Sequence, residues 1–198
     1  MNRADKKRQT RLKLINIALM LSADKGFSSL SLREVATGAG ITPAAFYNHF
    51  DDMEELGLSL LDEVALGLRK LLRDARKVSK DKVKDLTNFS IVAFLNYINE
   101  NSNHFKLLLG ERQGASVAFR SNVRKEIDRF VSELTEDLER ISKMRGEQLR
   151  NSSYAAEAIV AVVFSVGAEA LDLPKHKQAG LEERLVEEVN MIMRGAKV

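Results

Sequence analysis

Apolar residues recur at helical spacing along almost the whole chain, and only two prolines, Pro43 and Pro174, interrupt the pattern. Runs of β-branched residues bounded by turn signals are scarce, so the chain has little from which to build a sheet and an all-α fold is expected. Leu12, Ile15, Ala18 and Leu19 share one face of a first helix, which Gly26 is placed to end as a left-handed C′ residue. A long leucine-rich helix is expected from about residue 52 to 77. Another follows over 81–101, carrying Val83, Leu86, Phe89, Ile91, Phe94, Leu95 and Ile98, and then a short element over 102–111. The pattern continues with a long amphipathic helix over 116–144 and two last helices over 153–171 and 181–195.

Between the first and the long helix lie two short ones, each with its own start signal. Ser31 and Glu34 have capping-box spacing, with Leu30 and Val35 at the positions of a hydrophobic staple. Thr42 is the next N-cap, Pro43 occupies the first helical position, where its missing N–H costs nothing, and Ile41 and Phe46 supply the staple. Gly38-Ala39-Gly40 joins the two in a turn short enough to force a steep crossing. Three helices in this order form the unit that a helix-turn-helix DNA-binding domain requires. The second short helix opens with Thr42, Pro43, Ala44 and Ala45, side chains small enough to approach the floor of a major groove, and alanine suits a thymine methyl. Tyr47, Asn48 and His49 follow, suited to phosphate or base edges, or equally to packing against a neighbouring helix.

Charge is distributed to match. Residues 1–50 hold eight Lys or Arg against three Asp or Glu, a net +5 in a chain whose total is +3. The basic residues Arg3, Lys6, Lys7, Arg8 and Arg11 open the chain, either as a solvated tail or as charge that meets phosphate. No cysteine is present, which removes disulfides, thiolate catalysis and thiolate-held zinc. The three histidines, His49, His104 and His176, lie far apart, and no nucleophile motif, phosphate loop or metal-ligand spacing occurs. No enzyme, cofactor or metal site is therefore expected. The basic N-terminus lacks the apolar region of a signal peptide, and the apolar run near 158–168 is shorter than a membrane span, so a cytoplasmic protein with no membrane partner is expected.

The segment SLREVATGAGITPAAFYNHF closely resembles the helix-turn-helix of TetR-family repressors, whose third helix ends in Tyr-x-x-Phe with a histidine or tyrosine nearby, here Tyr47, Asn48, His49 and Phe50. The resemblance implies DNA contacts from Thr42, Ala44, Ala45, Tyr47, Asn48 and His49, and backbone contacts from Ser31 and Arg33. It also implies an N-terminal DNA-binding domain over residues 1–50 and a ligand-sensing, dimerising domain over 51–198. In that arrangement a homodimer formed through the last two helices binds a palindromic operator with half-sites about 34–36 Å apart or a multiple of that. Apolar residues on many faces of the helix over 153–171 suit that contact, or else a helix buried within one subunit. One departure stands out: many members carry a phosphate-gripping lysine just after the motif, where this chain has Asp51, Asp52 and Met53. The basic N-terminal segment is the candidate replacement, as a minor-groove arm or as phosphate contacts.

Three further stretches, DDMEELGLSLLDE, FKLLLGERQGASVAFRSNVRKEI and VFSVGAEALDL, resemble the branch of that family that represses unsaturated fatty-acid synthesis. That resemblance implies a long-chain acyl thioester as effector, presented on CoA or acyl-carrier protein. Candidate ligand-binding residues are Phe94, Phe105, Phe119 and Phe164, with Arg112 for a polar head. The residues themselves fit plain core aromatics and a surface arginine just as well. A sensor of a drug or another metabolite, and a nucleoid-associated DNA-binding protein, are the alternatives.

Overall fold

The computed structural model describes residues 2–78 and 86–198, so Val83 and the start of the helix expected from residue 81 lie outside the described residues. The described elements are helical: α1 (Arg3–Lys25), a 3-10 turn (Phe27–Ser29), α2 (Leu32–Ala39), α3 (Pro43–Phe46), α4 (Met53–Val78), α5 (Leu86–Glu100), α6 (Ser102–Arg112), α7 (Val117–Arg145), α8 (Ser152–Asp172), a second 3-10 turn (Lys175–Lys177) and α9 (Ala179–Ala196). The all-α fold expected from the periodicity is thus observed. Two compact units form, one from Met1–Leu66 with Asn103–Arg124 and the other from Gly67–Ser102 with Lys125–Val198. The first takes in the start of α4 and residues 103–124 beside the helix-turn-helix.

In the first unit α1 starts at a complete capping box. The Asn2 side chain accepts from the Ala4 N–H at 2.6 Å, and the Asp5 carboxylate accepts from the Asn2 N–H at 3.1 Å. The basic N-terminal segment is therefore helical from Arg3. Its buried stripe is Leu14, Ile15, Ala18 and Ser22, whereas Leu12, expected on that face, is exposed. So many of residues 12–21 are apolar that spacing alone left the phase of the stripe open. Gly26 has positive φ as expected, at +77°, but its ψ of 154° is extended rather than left-handed helical, which turns the chain directly into the 3-10 turn.

That turn delivers Phe27 to the core. Its ring meets Phe119 of α7 edge-on at 5.1 Å, and both rings close over Gly57 of α4, so close that a Cβ there would strike Phe119 and lie 2.6 Å from Phe27 Cε1. Burial pushes the carboxyl of Glu111 of α6 above the usual range, against a smaller opposing effect of the Phe27 backbone N–H beside it. One aromatic residue thus gathers α4, α6 and α7 around the end of α1.

The two short helices form as their caps dictate. Ser31 Oγ accepts the Glu34 N–H at 3.3 Å while the Glu34 carboxylate accepts the Ser31 N–H at 2.9 Å, and Lys25 reaches the same carboxylate at 2.6 Å. The staple residues Leu30 and Val35 are buried. Gly38 stays inside α2 and Gly40 alone makes the turn, with φ +73° and ψ 31°. Thr42 Oγ1 then accepts the Ala45 N–H at 3.1 Å to start α3.

In the second unit Glu126 of α7 is buried and pairs with both Arg69 of α4 and Arg129, while Glu133, two turns on, takes Arg73 at 3.5 Å and Arg69 at 3.9 Å. A buried carboxylate with two guanidinium partners is satisfied, whereas removing one side would strand a charge. Helices α5, α8 and α9 pack on one another. Gln178 locks their ends by exchanging bonds with Asn99 and donating to the Ala170 and Leu173 carbonyls at 2.9 and 3.0 Å. The apolar stretch of α8 is longer than the run read near 158–168. Over its 21 residues it is apolar enough to cross a membrane by length and composition, yet only 44% of its most apolar window is buried within the chain.

Two outcomes test this packing. Gly57→Ala must separate Phe27 from Phe119, and overpacking of this kind costs about 1–3 kcal/mol; denaturant unfolding should show the loss, and an unchanged midpoint would mean the rings part freely. Glu34 titrates near 2 rather than 4.5, chiefly because Lys25 bonds its carboxylate, then because of the Ser31 backbone and hydroxyl. A carboxyl depressed on folding stabilises the fold above its unfolded pKa and loses that contribution as pH falls through the folded one. Glu34→Gln should therefore lower the melting temperature at pH 6 and have progressively less effect between about pH 4.5 and 2.

Candidate nucleic-acid interface and buried cavity

Helix α3 is four residues long, too short to hold itself together in water. Its position depends on what it buries. Phe46 is fully buried and Phe50 nearly so, their rings 5.7 Å apart, and backbone bonds from the Asn48, His49 and Phe50 N–H groups back to Ala45 and Phe46 carry the chain between them in tight turns. Arg11 of α1 closes over the Phe50 ring at 4.3 Å and donates to Ser59 Oγ at 2.9 Å. The guanidinium expected to meet phosphate therefore also anchors the end of this segment.

On the outer side the small residues stay uncovered. Thr42, Pro43, Ala44, Tyr47 and Asn48 are exposed, and Ala45 and His49 partly so. The Tyr47 ring stands edge-on to Phe46 at 5.8 Å and the residue is 60% exposed, so it is not packed into a neighbouring helix. His49 is held below its ordinary pKa, first by burial and then by the charges of Lys7 and Arg11, so at pH 7 it is largely neutral. Its Nδ1 is buried and makes no hydrogen bond among the described residues. Arg33 of α2 is exposed, while the Ser31 hydroxyl donates to Glu34 at 2.7 Å and is already committed to its cap. These eight residues all belong to one stretch of the first unit, with Lys7 and Arg11 near enough to His49 to shift it.

The candidate ligand residues do not gather in the same way. Phe94 and Phe164 line one cavity in the second unit, of about 310 Å³, and their rings lie 6.4 Å apart. Phe105 and Phe119 are buried in the first unit, and Phe119 serves the Phe27 contact. Arg112, also of the first unit, is exposed. Phe130, at 5.8 Å from Phe164, completes the aromatic end of the cavity. Leu134, Leu138 and Ile141 of α7, with Ile159, Val160 and Val163 of α8, form its walls. Arg145, Glu147, Arg194 and Lys197 also border it, a charged group that sequence reasoning did not single out because its members come from separate elements. A cavity of this size and apolarity with a few polar groups has the shape that small-molecule sites share.

Two family models match most of the chain. A profile described as bacterial regulatory proteins of the tetR family matches residues 14–60, and one described as a tetracyclin repressor-like C-terminal domain matches residues 83–192. A transcriptional regulator from Rhodococcus sp. Rha1 is similar in structure, with a TM-score of 0.77 and 20% identity over 95% of this chain and 98% of its own. A regulator from Pseudomonas aeruginosa PAO1 gives 0.78 and 17% over 95% and 90%. The fatty acid degradation regulator FadR from Bacillus halodurans gives 0.73 and 13% over 93% and 94%. Identities this low carry the fold alone. The matched profiles carry the rest: this chain belongs to the TetR family and is a DNA-binding transcription regulator, not an enzyme.

Proposed function

We propose that this regulator is a cytoplasmic repressor of unsaturated fatty-acid synthesis, which binds a palindromic operator as a homodimer and answers to a long-chain acyl group carried on CoA or acyl-carrier protein. The observation that carries this reading is the cavity of the second unit, walled by aliphatic side chains and ended by Phe94, Phe130 and Phe164. A flexible hydrocarbon chain gains from contact along all of such a wall, whereas a compact polar metabolite would leave it unmatched. The three stretches that resemble regulators of this pathway, FabR and DesT, favour the same ligand. Of the candidate ligand residues, Phe94 and Phe164 are the ones with a place in this cavity.

The DNA-binding half rests on the exposed row from Thr42 to His49. Ala44 and Ala45 meet base edges in the major groove, and Tyr47, Asn48 and His49 meet the backbone, with Arg33 and Ser31 beside them. With Asp51 and Asp52 where a lysine is common, the remaining grip comes from α1. Arg3, Lys6, Lys7 and Arg8 are exposed on a helix about 10–12 Å across, wider than a minor groove of about 6 Å, which favours phosphate contacts over a minor-groove arm.

A homodimer accounts for the uncovered part of α8 and α9. Tyr154, Ala161, Ser165 and Met191 are exposed on two helices that pack together, and small residues on α8 permit close approach of a second copy.

Two measurements decide these points. Replacing Arg3, Lys6, Lys7 and Arg8 with glutamine should weaken operator binding and flatten its salt dependence by about 0.9 per lost phosphate contact on a log-log plot; an unchanged slope would remove α1 from the interface. In gel shifts on its own promoter or a fatty-acid-gene promoter, a monounsaturated long-chain acyl-CoA should raise affinity and the saturated one oppose it. Equal effects, or none, would sink the acyl reading and leave a sensor of some other molecule. Dispersed sites across the genome would favour a nucleoid role.

A further inference from the structure

We propose that the exposed end of the second unit's cavity is an anion site, in which Arg145, Arg194 and Lys197 take the negatively charged head of a ligand whose chain lies against the phenylalanines. The inference rests on the reading that this cavity holds a long-chain ligand and specifies the chemistry at the far end of that chain.

The cavity has a direction. Its α7 wall runs from Phe130 to Arg145, fifteen residues or about 22 Å of helix. At one end Phe94, Phe130 and Phe164 are buried, whereas at the other Arg145 is exposed, Arg194 is 61% exposed at its side chain and Lys197 42%. A chain therefore enters tail first and leaves its head among these three cations.

The acids along the wall do not reverse that sign. Glu133 is bonded by Arg73 and Arg69, and Asp137 by Arg140, arginines that lie outside the cavity lining, so each is neutralised from behind. At the mouth a single lining carboxylate, Glu147, faces the three cations, and Lys197 holds it at 2.7 Å. Arg194 bonds Glu187 at 2.6 Å, with both side chains 61% exposed. Exposed pairs of this kind are weak, so an incoming anion displaces them at little cost.

The mouth is also built rather than incidental. Gly146, at φ +65°, reverses the chain after α7, and the Ser142 hydroxyl donates to the Glu147 carbonyl at 2.5 Å. The segment beyond then pairs with the end of α9: the Arg150 N–H donates to the Ala196 carbonyl at 2.8 Å and the Val198 N–H to the Gln148 carbonyl at 3.1 Å. This short antiparallel bridge, Leu149 to Lys197, fixes Lys197 beside the cavity. Two guanidinium groups and an ammonium suit a carboxylate or a phosphate, and they repel a cationic head.

The shared chemistry is anionic oxygen at the end of a long aliphatic chain, from a free carboxylate or from the phosphates of a thioester carrier. Calorimetric titration of the intact protein with palmitoleate, palmitoleoyl-CoA, the alcohol of the same chain and its trimethylammonium analogue separates the cases. At least one of the two anions should bind ten-fold or more tighter than the alcohol, and the ammonium most weakly. Tight palmitoleate alone identifies a carboxylate site, tight palmitoleoyl-CoA alone a phosphate site. The double variant Arg145→Gln, Lys197→Gln should lose about ten-fold for the preferred anion while binding the alcohol as before, which also reports that the cavity is intact; Arg194→Gln provides an independent variant with the same expectation. Equal affinity for anions and alcohol, tightest binding of the ammonium, or a variant that loses alcohol and anion alike would overturn the anion site while leaving the long-chain reading standing. Binding of none of the four would overturn both.

Discussion

The exposed row from Thr42 to His49 exists because Phe46 and Phe50 are buried. A single helical turn has no stability of its own, and the residues that face outward from it are too small or too polar to supply any. Everything that aims α3 comes from beneath: the two rings, the guanidinium of Arg11 over one of them, and the cap at Thr42 that sets where the turn begins. This arrangement separates two demands on one short segment. Apolar anchors at Phe46 and Phe50 fix position, which leaves Ala44 and Asn48 exposed, with Ala45 partly so and Tyr47 edge-on to Phe46. An outward surface of that kind can change to suit a different operator without loss of the fold.

The same logic runs through Phe27. It enters the core immediately after α1 ends, and Gly57, Glu111 and Phe119 converge on it from three other helices. Because the first unit takes in the start of α4 and residues 103–124, the helix-turn-helix does not stand on three helices alone. Helices α4 and α7 each contribute residues to both units. In α7 this means that one continuous helix carries Phe119 near its start and the lining of the cavity along the rest.

Local chemistry was legible in the sequence to a degree that tertiary chemistry was not. Ser31 with Glu34, and Thr42 with Pro43, act over three residues, so their spacing alone predicts the caps, and the bonds form as expected. Asn2 and Asp5 have the same spacing but sit in a run of charges that fits a solvated tail or arm as well as the start of a helix. Leu12 failed for another reason: where nearly every residue is apolar, a helical period has no unique phase. The phenylalanines illustrate the limit most clearly. Phe94, Phe105, Phe119 and Phe164 are equivalent by residue type and helical spacing, yet two border a cavity and two are buried in the other unit. Only the pairing of distant helices distinguishes them.

The cavity's two ends also show why composition understates what a site can select. Counted along the sequence, its border holds three acids and three bases and looks neutral. Position breaks that balance. Glu133 and Asp137 are bonded by arginines outside the lining and Glu147 by Lys197, so the three cations of the border gather at its exposed end. Two exposed ion pairs keep the arginine and the lysine ordered in the absence of a ligand, and they are weak enough to yield to one. A site of this form discriminates by charge at its mouth and by length and shape along its wall, and the two kinds of selection can be altered independently because they depend on different helices' ends and faces.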